Sequence, residues 1–133
     1  MRQRWPVVLV LVVVAGVLVA APAAASDGDM VWARQLGGTA DDVGRGVAVD
    51  GSGNVYTTGY FSGTADFDPD AGTLNLASAG AADVFVSKLD AAGTLVWARQ
   101  LGGTGSDVGR GVAVDGSGNV HTTGNFSGTA DFD

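Results

Sequence analysis

Asp66-Phe67-Asp68-Pro69-Asp70-Ala71-Gly72 is the stretch of this 133-residue chain whose residue types best suit chemistry. Carboxylates at i, i+2 and i+4 can converge on one hard cation when a loop wraps it, and calcium takes such oxygen ligands. Asp66, Asp68 and Asp70 are therefore the candidate metal ligands, and calcium is the candidate ion. The spacing departs from the D-x-D-x-D-G calcium loop, because the glycine comes one residue late and no bidentate Glu follows. The competing reading is an Asp/Pro/Gly turn whose side chains accept local backbone N–H groups.

Other reactive side chains are sparse. His121 is the sole histidine, so any Ser-His-Asp triad must use it. Its counterpart in an internal repeat is Tyr56, which favours a structural position over a catalytic one. Lys88 is the sole lysine, and no G-x-x-x-x-G-K-[ST] phosphate loop is present. Asn125-Phe126-Ser127 matches a glycosylation sequon, a short pattern of little weight on a strand. Trp32 and Trp97 recur at one repeat position and read as packing residues, with carbohydrate stacking as the alternative. Arg45/Arg110 and Asp50/Asp115 also recur, as ion pairs or turn caps. No catalytic or cofactor-binding residue is assigned.

Composition narrows the classes further. With no Cys, a disulfide framework and a thiolate zinc site are excluded, and one His excludes a histidine cluster. All 14 acids are Asp, set against seven Lys+Arg, for a net charge of −7. Such a chain lacks the clustered cations that phosphate backbones require, so nucleic acid is not an expected partner. Glycine is abundant, at 22 residues, and charged residues make only 16% of the chain, against about 25% in ordinary soluble domains.

The N-terminus reads as an export signal. Arg2 and Arg4 precede an uncharged aliphatic run over residues 7–21, and Ala23-Ala24-Ala25 offers a small-residue cleavage site before Ser26. The alternative is an uncleaved anchor, since residues 5–25 carry no charge and suffice to cross about 30 Å of hydrocarbon. Residues 1–25 are thus the expected signal peptide and 26–133 the exported, secreted or cell-surface, part. After cleavage no membrane span is expected.

What positions the candidate residues is a repeat. Residues 31–68 and 96–133 align at an offset of 65 and are identical at 34 of 38 positions. The differences are Ala40/Gly105, Asp41/Ser106, Tyr56/His121 and Tyr60/Asn125. A fixed period of this size signals units that bury one another. Each period predicts four short strands. Residues 45–50 alternate apolar side chains before the Gly51-Ser52-Gly53 turn, and 54–61 are β-branched and aromatic, pairing back as a hairpin. Residues 83–89 and 94–101 form a second hairpin across Asp90-Ala91-Ala92-Gly93. Val55, Thr57, Gly59 and Phe61 form the expected core face, with the two variable tyrosines on the other.

The blocks DVFVSKLDAAGTLVWARQLGG and GRGVAVDGSGNVYTTGYFSGTADFD resemble the bacterial β-propeller repeats called SBBP repeats. The resemblance implies an all-β fold of four-stranded antiparallel blades in exported or surface proteins, and no particular activity. The unit is longer than usual because residues 62–82 form an extended insert. By this analogy the innermost strand is 45–50, the tight turns share one face and the long connections the other. Residues 30–36 then supply an outermost strand, residues 45–101 one full blade, and the chain about one and a half blades. Closure takes typically about 4–8 blades, so the expectation is an incomplete propeller, weakly stable alone and prone to self-assembly that completes its blades.

The function expected is a non-catalytic exported scaffold or binding module, part of a longer propeller. The alternatives are a calcium-dependent surface binding protein and a propeller-type glycosidase or lyase. The last would need carboxylates around a shared channel, and these copies supply only turn aspartates. Partners are unspecified; protein and carbohydrate ligands both suit such a surface.

Overall fold

The computed structural model describes residues 30–132; residues 1–29 and 133, and with them the expected signal and cleavage point, lie outside the described residues. Ten strands follow in chain order: β1 (Gly37–Gly38), β2 (Asp42–Val49), β3 (Val55–Phe61), β4 (Thr64–Asp66), β5 (Asn75–Ala77), β6 (Asp83–Leu89), β7 (Leu95–Gly103), β8 (Val108–Val114), β9 (Val120–Asn125) and β10 (Ala130–Asp131). No helix occurs among the described residues, so none there is long and apolar enough to cross a membrane.

β2, β3, β6 and β7 form one antiparallel meander in the order β2-β3-β6-β7, which is the expected blade. Both hairpin turns close on an aspartate: Gly53 N–H donates to the Asp50 carbonyl at 3.0 Å, and Gly93 N–H to the Asp90 carbonyl at 2.9 Å. β8 and β9 begin the second blade with the register of the first, including the same slip between the glycines flanking Arg110 that occurs at Arg45. This slip is a β-bulge, which bends the inner strand. A Cβ on Gly46 would lie 3.0 Å from Gly111 Cα, so the inner strands β2 and β8 approach as closely as their backbones allow. That contact explains why glycine stands beside the bulge.

The insert is not a plain loop. β4 and β5 form a hairpin, and β4 pairs with β1, Gly37 opposite Asp66 and Gly38 opposite Ala65. The same pairing recurs 65 residues later, where Gly102 meets Asp131 and Gly103 meets Ala130. Each insert therefore adds to the tip of the outer strand that precedes its blade. The expected strand over residues 30–36 is corrected: only Gly37–Gly38 joins a ladder, and the preceding residues are held by side chains.

The core lies between the blade and its insert. Leu36, Phe61, Ala65, Phe67, Phe85 and Ala98 form one buried cluster, with Leu74 and Leu76 against it. Phe67 stacks edge-on to Phe61 at 5.4 Å between ring centroids and lies 5.0 Å from Phe85. Burying such a ring contributes about 1.5–3 kcal/mol, which anchors the insert. A second cluster joins Trp32, Val55 and Leu89 nearer the turns. Val55, Thr57, Gly59 and Phe61 are buried as expected, but Tyr56 and Thr58 are buried too. β3 is covered on both faces because β8 of the second blade packs against it.

Candidate functional site

The Asp-rich loop starts at the end of β4, and two of its three carboxylates, Asp66 and Asp68, accept backbone N–H groups. Asp66 Oδ1 accepts the N–H groups of Asp68 and Leu74, each at 2.9 Å, while Asp68 Oδ1 accepts the Asp70 N–H at 3.0 Å. The bonds to Asp68 and Asp70 are Asx-type turn bonds, and the bond to Leu74 ties the far side of the loop back to Asp66. Phe67 between them is 1% exposed, so the motif places an aromatic anchor inward and caps its own backbone. Among the described residues no group of three or more His, Cys, Asp or Glu side chains is arranged to hold a metal ion.

At the turn end, Asp50 organises its hairpin. Oδ1 accepts from Ser52 N–H at 2.9 Å and Asn54 N–H at 3.0 Å, and Oδ2 accepts from the Asn54 amide at 2.7 Å and the Tyr56 hydroxyl at 3.1 Å. Asp115 repeats this with Ser117 and Asn119. The Asn54 amide, with the backbone donors and Tyr56, lowers the Asp50 carboxyl from 3.8 to about 2. The Asn119 amide chiefly does the same for Asp115, also to about 2. His121 Nε2 lies 3.5 Å from Asp115 Oδ2, in the role that Tyr56 has in the first copy. The two turns together line one groove, with Val49 and Val114 beside the aspartates.

At the loop end, Arg45 lies over the Tyr60 ring, 5.6 Å from its centroid, and Arg110 Nε donates to Asn125 Oδ1 at 2.9 Å. Neither arginine bonds the recurring turn aspartate, so Asp50 and Asp115 are turn caps. Exposed Ala40 and Asp41 adjoin the start of the insert: the Asp41 carbonyl accepts Ser62 N–H at 3.0 Å.

Sequence reasoning missed three buried aspartates that hold loop backbone, one of which, Asp107, lies on the seam between the blades. Asp107, 1% exposed, accepts Gly103 N–H at 2.8 Å and Ser127 N–H at 2.9 Å. Its counterpart Asp42 accepts Gly38 N–H at 2.7 Å, and burial pushes the Asp42 carboxyl above its ordinary value. Asp83, fully buried, accepts Ala79 N–H at 3.0 Å and the Gln100 amide. The signal available in the sequence was the recurrence of an aspartate directly after the variable loop positions. Across the same seam, Asp107 N–H donates to the Ala82 carbonyl at 2.8 Å and Ala81 N–H to the Gly105 carbonyl at 2.9 Å.

Trp32 is a seam residue and not an open stacking platform. It is 8% exposed, and its indole N–H donates to the Ala91 carbonyl at 3.0 Å. Trp97 is half-buried and meets Tyr56 edge-on at 6.2 Å.

A four-stranded antiparallel blade, with two strands of a second set beside it in the same register and tied to it through its loops, marks a β-propeller repeat protein. The chain belongs to the SBBP β-propeller repeat family, which matches residues 31–67 and 96–132. It is also similar to an uncharacterized WD repeat-containing protein of Acanthamoeba polyphaga mimivirus, 30% identical over 103 residues. That match covers 75% of this chain and 7% of the viral protein, so the chain spans a small fraction of its relative. No solved structure matches this chain.

Proposed function

We propose that this chain is an exported, non-catalytic scaffold whose blades present a binding surface at their loop end. One observation carries the reading. Three of the four positions that differ between the copies, 40/105, 41/106 and 60/125, lie at that end, while the fourth, 56/121, keeps a polar tip at the turn aspartate and the turn residues and Asp42/Asp107 repeat unchanged. Loops on a rigid frame are where proteins vary their contacts. Export is supported by Arg2, Arg4, the apolar run and the alanines before Ser26. After residue 25 the chain keeps five Arg+Lys (Arg34, Arg45, Lys88, Arg99, Arg110) and all 14 Asp, so its net charge is 5 − 14 = −9. Such a surface favours cationic or neutral ligands over anionic ones.

The test uses the chain expressed with its N-terminus in a secreting bacterium. The exported protein should begin at Ser26. Screened on neutral-glycan and basic-peptide arrays, it should retain a ligand that Ala40→Gly, Asp41→Ser and Tyr60→Asn together release without lowering the melting temperature. Retention unchanged by the triple variant, or turnover of the bound glycan, would overturn the reading.

A further inference from the structure

Arg45 and Arg110 occupy the same place in the two copies, each inside the bulge of its inner strand. Gly44 and Gly46 face Gly59 and Thr58, and Gly109 and Gly111 face Gly124 and Thr123, so the arginine between each glycine pair is skipped by the ladder. A bulge re-aims the side chain that it releases from pairing. Both arginines are exposed.

What holds each guanidinium is uncharged. Arg45 lies over the Tyr60 ring, 5.6 Å from its centroid, and Arg110 donates through Nε to Asn125 Oδ1 at 2.9 Å. Stacking leaves the edge donors of Arg45 open, and the Nε bond leaves both Nη groups of Arg110 open. Among the described residues no carboxylate lies within ion-pair distance of either, in a chain with 14 Asp. Arg34 is used differently, donating to the Ala92 and Gly93 carbonyls, and Arg99 on β7 donates to the Ala98 carbonyl.

Arg45 is open with its neighbouring blade in place. Tyr60 shares a face of β3 with Thr58. That face is the one β8 covers, since a Cβ on Gly109 would run into Thr58 Oγ1. The inner strands also approach closely at this level: a Cβ on Gly46 would lie 3.0 Å from Gly111 Cα and 3.3 Å from the Arg110 carbonyl. Two guanidinium forks without a counter-charge thus stand on adjacent inner strands at the loop end.

We propose that Arg45 and Arg110 form an anion site for a carboxylate, supplied by an acidic sugar or by a free organic acid. The two coplanar oxygens of a carboxylate accept from one guanidinium fork or bridge two. The acidic surface around the pair repels densely charged polyanions, which selects a ligand whose carboxylates are single or widely spaced. The site does not depend on the copy-variable surface. Tyr60 or Asn125 changes how the arginine is held, while the arginine itself repeats.

The test titrates sodium acetate and trigalacturonate separately into the isotope-labelled intact chain and follows amide and arginine Nε–H signals by NMR. Saturable shifts at Arg45, Arg110 and their strands are expected at about millimolar ligand, and the acid that binds more tightly identifies the source. Arg45→Gln with Arg110→Gln should weaken binding about tenfold at an unchanged melting temperature. Arg45→Lys with Arg110→Lys should weaken it nearly as much, because an ammonium keeps the charge and loses the fork. Arg99→Gln should leave the affinity unchanged. So should the Ala40→Gly, Asp41→Ser, Tyr60→Asn variant, since an asparagine at position 60 would hold Arg45 as Asn125 holds Arg110; failure here is therefore separable from failure of the array screen. No binding of either acid, shifts that survive the glutamine pair, full affinity in the lysine pair, or tighter binding of inorganic phosphate than of both acids would each overturn the proposal.

Discussion

The Tyr56 hydroxyl donates to Asp50 Oδ2 at 3.1 Å, closing the turn that joins β2 to β3. In the second copy the same place is taken by His121, whose Nε2 lies 3.5 Å from Asp115 Oδ2. A phenol and an imidazole thus serve one purpose, a polar tip aimed at the turn carboxylate. The repeat thereby gives the lone histidine its place, beside the turn carboxylate.

This arrangement predicts acid sensitivity. The folded-state carboxyls of Asp50 and Asp115 are lowered from 3.8 to about 2, so the stability they contribute is complete above the unfolded value and disappears as pH falls through the folded one. Asp42 acts with the opposite sign. Its raised carboxyl favours the folded state below the unfolded value and loses that contribution as pH rises through its own. Denaturant unfolding should show stability falling between pH 3.8 and about 2. Asp50→Asn with Asp115→Asn should flatten that fall; an unaltered pH profile would contradict the assignment.

Asp66 is predicted to matter as a cap. Its Oδ1 accepts two backbone N–H groups beside the buried Phe67, and Asp66→Ala strands both donors. The expected loss is about 1–3 kcal/mol, the usual cost of unpaired polar groups. Thermal melts should show the same loss in millimolar calcium as in chelator. A loss confined to calcium-containing buffer would return Asp66, Asp68 and Asp70 to the role of metal ligands.

Gly93→Ala in the chain should destabilise the first blade. The turn holds φ at +83°, and the added methyl meets the Trp32 ring at 3.0 Å. A left-handed non-glycine residue alone costs about 1–2 kcal/mol, and displacing Trp32 adds to it. Gly51→Ala is the control, because a Cβ there has nothing within 4 Å. Equal melting temperatures for the two variants would refute the seam.

Much of the blade was legible in the sequence. Alternation and turn residues located all four strands, since those signals are local. The departures are where distant partners decide. β2 begins at Asp42, before Arg45, because the bulge lets pairing continue past it. β7 runs to Gly103 because its tip pairs with β10, 27 residues later in the chain. The insert hairpin was invisible for the same reason, its partner β1 lying before the blade. Of the candidate site, the turn role of Asp50 followed from its neighbours. The buried positions of Asp42 and Asp83 and the seam role of Asp107 did not, because segments distant in sequence cover them.

The central claim is that two nearly identical strands differ because β3 is paired on both edges and covered by β8, whereas β9 pairs only with β8 among the described residues. Native-state hydrogen exchange of the intact chain tests it directly. The amides of Val55–Phe61 should exchange slowly, each strand edge being paired, and those of Val120–Asn125 should exchange much faster from the edge facing away from β8. Equal protection of the two strands would contradict the account.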